Sequence, residues 1–544
     1  MNRRNFLLTA ASLAAAGTNS RCSLSTTSLA FTGQVLGASH HVGHLLREGR
    51  LPAPKSRRKV PVVIVGAGMA GLSAGWKLQK AGFNEFEILE LEPACGGNSR
   101  FGENHITPYP WGAHYVPLPT RESGAVRELF EEFGIIQEYT AAGEPKYEEK
   151  YLCFSPQERL YRYGRWQEGL LPLLAASKKD LEQYGRFRDL MAHYRGRRGR
   201  DGRKAFAIPM ELSSRDREFL ALDQTSMHDF LIARGLDSPA LHWYANYACR
   251  DDYGTNYSEV SAWAGVHYFA SRDGGGKDEI EGSSVLTWPE GNGWIVKRLA
   301  SLLTPHFHTN ALVFRVSREK TSASVDYFDV QQQRSTRVEA EQVILACPRQ
   351  FAESLLAGPG VNPASWLAEF EYAPWMVANL SLREFPRERA GAPLAWDNVI
   401  YDSPSLGYVV ATHQSLRTHI PETVFTYYYP MTDAPPRQER NRLLATTWQL
   451  WADFIIEDLG KPHPEISQIV SKLDIFRWGH AMVRPKPGFL WGQARSRAAK
   501  SVENIHFAHS DLSGFSIFEE AQYRGVVAAE KALELLRVGF TSSL

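Results

Sequence analysis

Gly66, Gly68 and Gly71 follow one apolar run, and Glu90 closes the next. The runs are Val60 to Val65 and Phe86 to Leu89 in "KVPVVIVGAGMAGLSAGWKLQKAGFNEFEILE". A β-branched run of this kind marks a parallel strand buried on both faces. Between the runs, Leu72, Trp76 and Leu78 give a helical pattern. Glycine at 66 permits a tight turn, at 68 it lets a pyrophosphate approach the backbone, and at 71 it lets helix pack on strand. The helix opening, with Met69 and Ala70, then presents N–H groups and a partial positive charge to phosphates. Glu90, nineteen residues after Gly71, falls where a carboxylate accepts hydrogen bonds from an adenosine ribose. Glu92 is the competitor, but it precedes Pro93, where an acid is solvated or caps a turn.

Among titratable groups, His114 and His509 are placed to polarise a substrate or tune a reduced cofactor near neutral pH. His114 is taken as the catalytic candidate. Arg250, Asp251 and Asp252 precede a Tyr-Gly turn; they suit a polar substrate, but helix termination by Asp and Gly is the favoured reading. In "VFTYYYP", residues 424 to 430, Tyr427 and Tyr429 share one face and Tyr428 the other, so one side can line a cavity. The five cysteines, Cys22, Cys95, Cys153, Cys249 and Cys347, show no CxxC and no regular spacing. They imply neither a disulfide framework nor a metal site, and Cys95 and Cys347 read as core residues.

These side chains need a large scaffold. The 544 residues, 43% hydrophobic, bury a sizeable core in two or more interleaved domains. Sixty-one basic against sixty acidic residues leave a formal charge of +1, which gives no global field for nucleic acid or anionic lipid. A small-molecule substrate is expected. The opening "MNRRNFLLTAASLAAAG" pairs Arg3 and Arg4 before a short apolar run and resembles a twin-arginine export signal. Export to the periplasm or beyond is expected, with no transmembrane segment in the mature chain. Residues 31–59, without periodicity, read as a linker.

With those motifs in place, "GAGMAGL", Glu90 and the doubled Gly96 and Gly97 together resemble the opening of the flavin-containing amine oxidase superfamily. That resemblance implies FAD, since nicotinamide enzymes lack the doubled glycine. Where the family places arginine directly after the pair, this chain has Asn98, and the arginine stands at Arg100. Either Arg100 reaches back to the phosphates or backbone N–H groups bind them. "YPWGAHYVP" resembles the segment passing the flavin ring, which implies Gly112, Ala113 and His114 beside the isoalloxazine. "WPEGNGWIVKRLASLL" resembles the helix re-entering the cofactor domain. "NALVFRV" and "AEQVILACP" resemble later strands of that domain, with Val313 at the position whose backbone meets adenine. The segment from Asn504 to Leu533 resembles the closing motif, which implies Asp511 on the ribityl chain and a helix aimed at the flavin's pyrimidine edge.

The resulting expectation is an α/β chain: a Rossmann-like FAD-binding domain, a parallel sheet with helices, interleaved with a mixed α+β substrate domain. Its boundaries are an export signal region at 1–30, the linker, a FAD domain over 60–118, 283–350 and 480–540, and a substrate domain over 119–282 and 351–479. No cysteine lies near "PGFLWG", so FAD is expected to be non-covalent. The expected function is an exported FAD-dependent oxidoreductase moving hydride from an amine or amino-acid-like substrate to flavin N5, with the electron acceptor unidentified. Two departures favour alternatives. No lysine stands between Lys320 and Lys461, where many family oxidases hold a water near N5, and Ile517 occupies an aromatic-cage position with Phe489 or Trp491 left for the other wall. The alternatives are a desaturase or oxidase of a larger apolar substrate, and a non-catalytic flavin-fold assembly protein.

Overall fold

The computed structural model describes residues 30–49, 51–272, 284–319, 321–357 and 364–544. Residues 1–29 of the expected signal region at 1–30, with Arg3, Arg4 and Cys22, lie outside the described residues.

The apolar runs form the strands that their β-branching predicts. Val62–Val65 is buried at every position and sits in the middle of a five-stranded, wholly parallel sheet. Its neighbours are Phe86–Leu89 on one side and Gln342–Leu345 on the other, with Phe307–His308 and Ile505–Phe507 at the edges. In chain order the strands lie 3-2-1-4-5, the doubly wound arrangement whose switch point falls beside the first strand. Helix Met69–Lys80 follows that strand. The final helix, Phe518–Leu535, packs on it so closely that a Cβ at Gly525 would lie 2.2 Å from the Ala70 carbonyl oxygen.

"AEQVILACP" supplies the fourth parallel strand, whereas "NALVFRV" does not join that sheet. Its strand, Ala311–Arg318, pairs antiparallel with Ala323–Asp329 in a separate four-stranded sheet. The reason is local: the next two segments, Ala323–Asp329 and Arg334–Ala340, follow after short turns and offer an antiparallel ladder at once. Val313 is therefore a buried member of this second sheet.

A third sheet has eight strands and carries the hairpin Glu158–Arg162/Arg165–Glu168 at one edge. Its centre is Tyr372–Leu382, Thr423–Pro430 and the long strand Val470–Val483. All of Tyr372–Leu382 and Thr423–Pro430 is buried, because one face meets the cofactor side and the other packs on helices Pro436–Ala445 and Trp448–Leu459.

Residues 31–59 are not a linker. Val35–Gly37 extends the eight-stranded sheet, parallel to Ile475–Arg477, and Ser56–Lys59 extends the four-stranded sheet, parallel to Thr336–Glu339. Both strands complete edges whose N–H and C=O rows would otherwise lack partners, so they form despite lacking any hydrophobic period. Deleting residues 30–59 should therefore lower the soluble yield and the thermal midpoint sharply. Thermal unfolding of the truncated and full chains checks this; an unchanged midpoint would restore the linker reading.

Candidate cofactor and substrate site

At the switch point the backbone turns back on itself in van der Waals contact. Gly66 N–H donates to the Leu89 carbonyl at 2.8 Å, and Gly96 N–H donates to the Ala67 carbonyl at 2.8 Å. A Cβ at Gly71 would lie 1.9 Å from the Gly66 carbonyl oxygen, a contact no side chain permits. Gly96, at φ 125°, belongs to a region open mainly to glycine, and Gly97 approaches Gly68 so nearly that a Cβ there would fall 3.2 Å from its Cα. Gly68 caps helix Met69–Lys80 without any side-chain bond, leaving the N–H groups of Met69, Ala70 and Gly71 for a ligand. Two glycine segments thus form a narrow cradle of oriented donors, which suits a pyrophosphate.

Glu90 lies beside the cradle, buried. Its Oε2 accepts from Ala67 N–H at 2.6 Å and its Oε1 from Glu92 N–H at 2.9 Å. Burial pushes its carboxyl above the usual range against the pull of those donors. Glu92 departs from expectation. Rather than being solvated, it accepts from Ser39 N–H at 2.7 Å, from Ser39 Oγ at 2.9 Å and from Arg100 Nη2 at 2.9 Å. That corrects Arg100 as well: its guanidinium is drawn to Glu92 and the Ala94 carbonyl, and it braces the second glycine loop from behind. With Arg100 held at Glu92, backbone N–H groups are the phosphate donors that this loop still offers. Ala311 N–H donates to the Glu90 carbonyl at 2.8 Å, which puts Val313 two residues further along its strand from that anchor.

The segment after Arg100 lines the next part of the site. Asn98 and Ala113 are joined by an N–H···O bond at 2.9 Å, and Asn292 N–H donates to the Ala113 carbonyl at 3.1 Å. Gly112, Ala113 and His114 are half-buried, and the Gly112 carbonyl accepts from Tyr428 Oη at 2.9 Å. The His114 ring stacks on Tyr428 at 4.5 Å, with Tyr115 at 5.1 Å and Trp396 at 5.5 Å. Burial lowers His114 to about 4 despite its bond to the Gly112 carbonyl, so it is neutral near pH 7. Tyr428 is thus the tyrosine of "VFTYYYP" that faces the site. Tyr427 and Tyr429 point to the opposite layer, bonded to Asp458 and Asp433 at 2.9 and 2.8 Å.

Asp511 is wholly buried. Its Oδ2 accepts from Arg349 N–H at 2.7 Å and from Tyr372 Oη at 2.6 Å. His509 Nδ1 lies 3.1 Å from Oδ1 and 3.2 Å from the Asp511 N–H, and Oδ1 has no aligned hydrogen-bond donor. Burial pushes the carboxyl up, but His509, Tyr372 and Arg349 outweigh it and the net shift is downward. An ionised, buried oxygen without a donor suits a ligand hydroxyl. Asn292 Oδ1 is likewise buried without a donor. His509 therefore organises Asp511 rather than facing a substrate.

Asp251 and Asp252, which the sequence favoured as helix-ending residues, form an acid layer behind Tyr115. Tyr115 Oη donates to Asp251 at 3.2 Å and to Asp252 at 3.3 Å, and Arg272 Nη2 bonds both oxygens of Asp252 at 2.9 Å. The helix Pro239–Tyr253 ends at the Tyr-Gly turn as expected, with Gly254 left-handed at φ 58°, and the aspartates have the further role of bonding Tyr115 and Arg272. Glu519, in the first turn of the last helix, is buried with Oε2 lacking a donor, and burial raises it to about 7. Cys95 and Cys347 are only half-buried; Cys249 is the buried one. Among the described residues no cluster of His, Cys, Asp and Glu would hold a metal, and no helix is long and apolar enough to cross a membrane.

This arrangement is an α/β fold with a Rossmann-like nucleotide-binding domain, and solved amine oxidases share it. Residues 64–133 match the NAD(P)-binding Rossmann-like domain. Oxidoreductase PigB of Serratia sp. (strain ATCC 39006) is 21% identical over 290 residues, 50% of this chain and 40% of that protein, so the match spans less than half of that relative. Wild-type putrescine oxidase bound to putrescine shares the fold at a TM-score of 0.62 and 17% identity, over 88% of this chain and 100% of that one. Cyclohexylamine oxidase from Brevibacterium oxydans IH-35A does so at 0.61 and 16%, again over 88% of this chain and 100% of that one.

Glu519 gives a stability test with a defined sign. Its carboxyl ionises near 4.5 when unfolded and near 7 when folded, so rising pH penalises the folded state across that window. Glu519→Gln escapes the penalty. The variant should gain up to about 3 kcal/mol relative to the parent on going from pH 4.5 to pH 8. Thermal unfolding of both proteins at the two pH values measures the gain, and a constant difference would show that Glu519 titrates normally.

Proposed function

We propose that the protein is an FAD-dependent oxidoreductase that removes hydride from an amine or amino-acid-like carbon. The observation that carries this reading is the cradle formed by Gly68 and Gly97, with buried Glu90 on one side and the donor-less oxygen of Asp511 on the other. Glu90 would hold the adenosine ribose, the first turn of helix Met69–Lys80 the pyrophosphate, and Asp511 a ribityl hydroxyl. Bound FAD supplies a two-electron acceptor at N5. It would be held without a covalent bond.

The chain's own residues account for the choice of an amine. His114, Tyr428, Tyr115 and Trp396 form an aromatic wall that excludes water and orients a C–H bond, while His114 stays neutral. Such a wall favours the neutral amine, the form with a lone pair to release, over its ammonium. The relatives named above are enzymes of putrescine and of cyclohexylamine, which supports an amine without fixing which one. Export by the twin-arginine route, on Arg3 and Arg4, completes the proposal, with the electron acceptor unidentified.

Two experiments test it. Anaerobic addition of diamines and cyclic amines to the FAD-loaded protein should bleach the flavin band near 450 nm (roughly its usual position). Bleaching by large apolar compounds alone would favour the desaturase alternative, and persistent colour with every substrate would favour a non-catalytic role. Glu90→Ala removes a charged acceptor whose hydrogen bonds contribute about 1.5–3 kcal/mol. The variant should release FAD roughly ten- to a hundredfold more readily, measured by flavin fluorescence on dilution, whereas unchanged retention would reject Glu90 as the ribose ligand.

A further inference from the structure

A cavity of about 730 Å³ opens where strand Ala311–Arg318, helix Arg349–Ala357 and the chain from Arg497 to Val502 meet. A second, of about 490 Å³, adjoins it beside Trp491, and Arg497 and Lys500 line both. The first volume lies in the range of small-molecule sites, about 300–1,000 Å³.

The lining has two parts. Val316, Leu356 and Trp366 provide an apolar floor, with Leu356 and Trp366 half-buried. Four cations stand around it. Arg318 is paired with Glu503 at 3.1 Å, and Arg349 with Glu353 at 2.8 Å and the Ala498 carbonyl at 3.2 Å. Arg497 and Lys500 have no carboxylate partner among the described residues; Arg497 instead lies 5.6 Å from the Trp366 ring centre. The chain as a whole carries only +1, so this local excess of two positive charges is not inherited from a basic surface. Two adjacent unpaired cations match a phosphate monoester, which carries about −1.5 to −2 near pH 7, and the floor requires an apolar or planar body joined to it.

We propose that this cleft is a second ligand site, distinct from the flavin cradle, that binds an organic phosphate monoester. The head group lies between Arg497 and Lys500, and the body rests on Leu356 and Trp366. One residue joins the cleft to Asp511: the backbone N–H of Arg349 bonds Asp511 while its side chain lines the cleft. The site does not depend on the amine-oxidising reading.

Calorimetric titration of the full-length, FAD-loaded protein tests this with three probes: adenosine monophosphate for a planar body, octyl phosphate for an alkyl one, and inorganic phosphate. At least one of the two organic phosphates should bind saturably, about tenfold or more tightly than inorganic phosphate; the tighter one identifies the body. Arg497→Ala/Lys500→Ala should lower that affinity about tenfold or more. Both side chains are exposed, so the flavin spectrum and thermal midpoint should stay unchanged and certify the fold. Leu356→Asn should weaken the organic phosphates but not inorganic phosphate. Equal binding of inorganic and organic phosphate, unaltered binding by the double variant, or no saturable binding at millimolar probe would each overturn the proposal.

Discussion

The site rests on one close approach of backbone to backbone. The turn from Gly66 to Gly71 folds back on itself with no room for a Cβ at Gly71, and the loop at Gly96 and Gly97 lies against it so that a Cβ at Gly97 would sit 3.2 Å from Gly68 Cα. That proximity leaves two rows of N–H groups pointing the same way, and it ties the first strand, the first helix and the second strand into one rigid unit. Glu90 reinforces it by accepting from Ala67, so the carboxylate expected to meet a ribose also locks the turn expected to meet the phosphates. A side chain introduced at Gly71 would separate these elements and disable several functions together.

Much of this was legible because it is local. The β-branched run, the glycine spacing and the acid at the next strand's end all lie within about thirty residues, and period-two alternation separates Tyr428 from Tyr427 and Tyr429. What was not legible depends on partners distant in sequence. Nothing near Glu92 announces that Ser39 will hold it, yet that contact captures Arg100 and decides which groups remain for phosphate. The strands at Val35–Gly37 and Ser56–Lys59 have no hydrophobic period, since edge strands are specified by the ladder waiting for them. Asp251 and Asp252 read as helix-ending residues until the fold brings Tyr115 and Arg272 to them.

The two large layers divide the chemistry. The parallel sheet supplies donors and fixed dipoles at its switch point, whereas the eight-stranded sheet supplies an aromatic surface with tyrosine hydroxyls bonded to the opposing backbone. The bond from Tyr428 to the Gly112 carbonyl and that from Trp478 Nε1 to the Trp111 carbonyl at 2.7 Å stitch these layers across the site. The distance between the cradle and the aromatic wall is therefore set by direct hydrogen bonds. Neutral His114, stacked on Tyr428, adds bulk and polarisability to this seam without adding charge.

The first described strand also bears on when the molecule is finished. Gln34 N–H bonds Asp474, a residue 440 positions later, and Val35 is paired with Ile475. During synthesis this strand has no ladder to join until nearly the whole polypeptide has emerged, and contacts of such long range form late. Val35–Gly37 thus stays without its ladder on any incomplete chain and gains it only once Arg477 has been made, so its pairing is a physical report that folding is nearly complete.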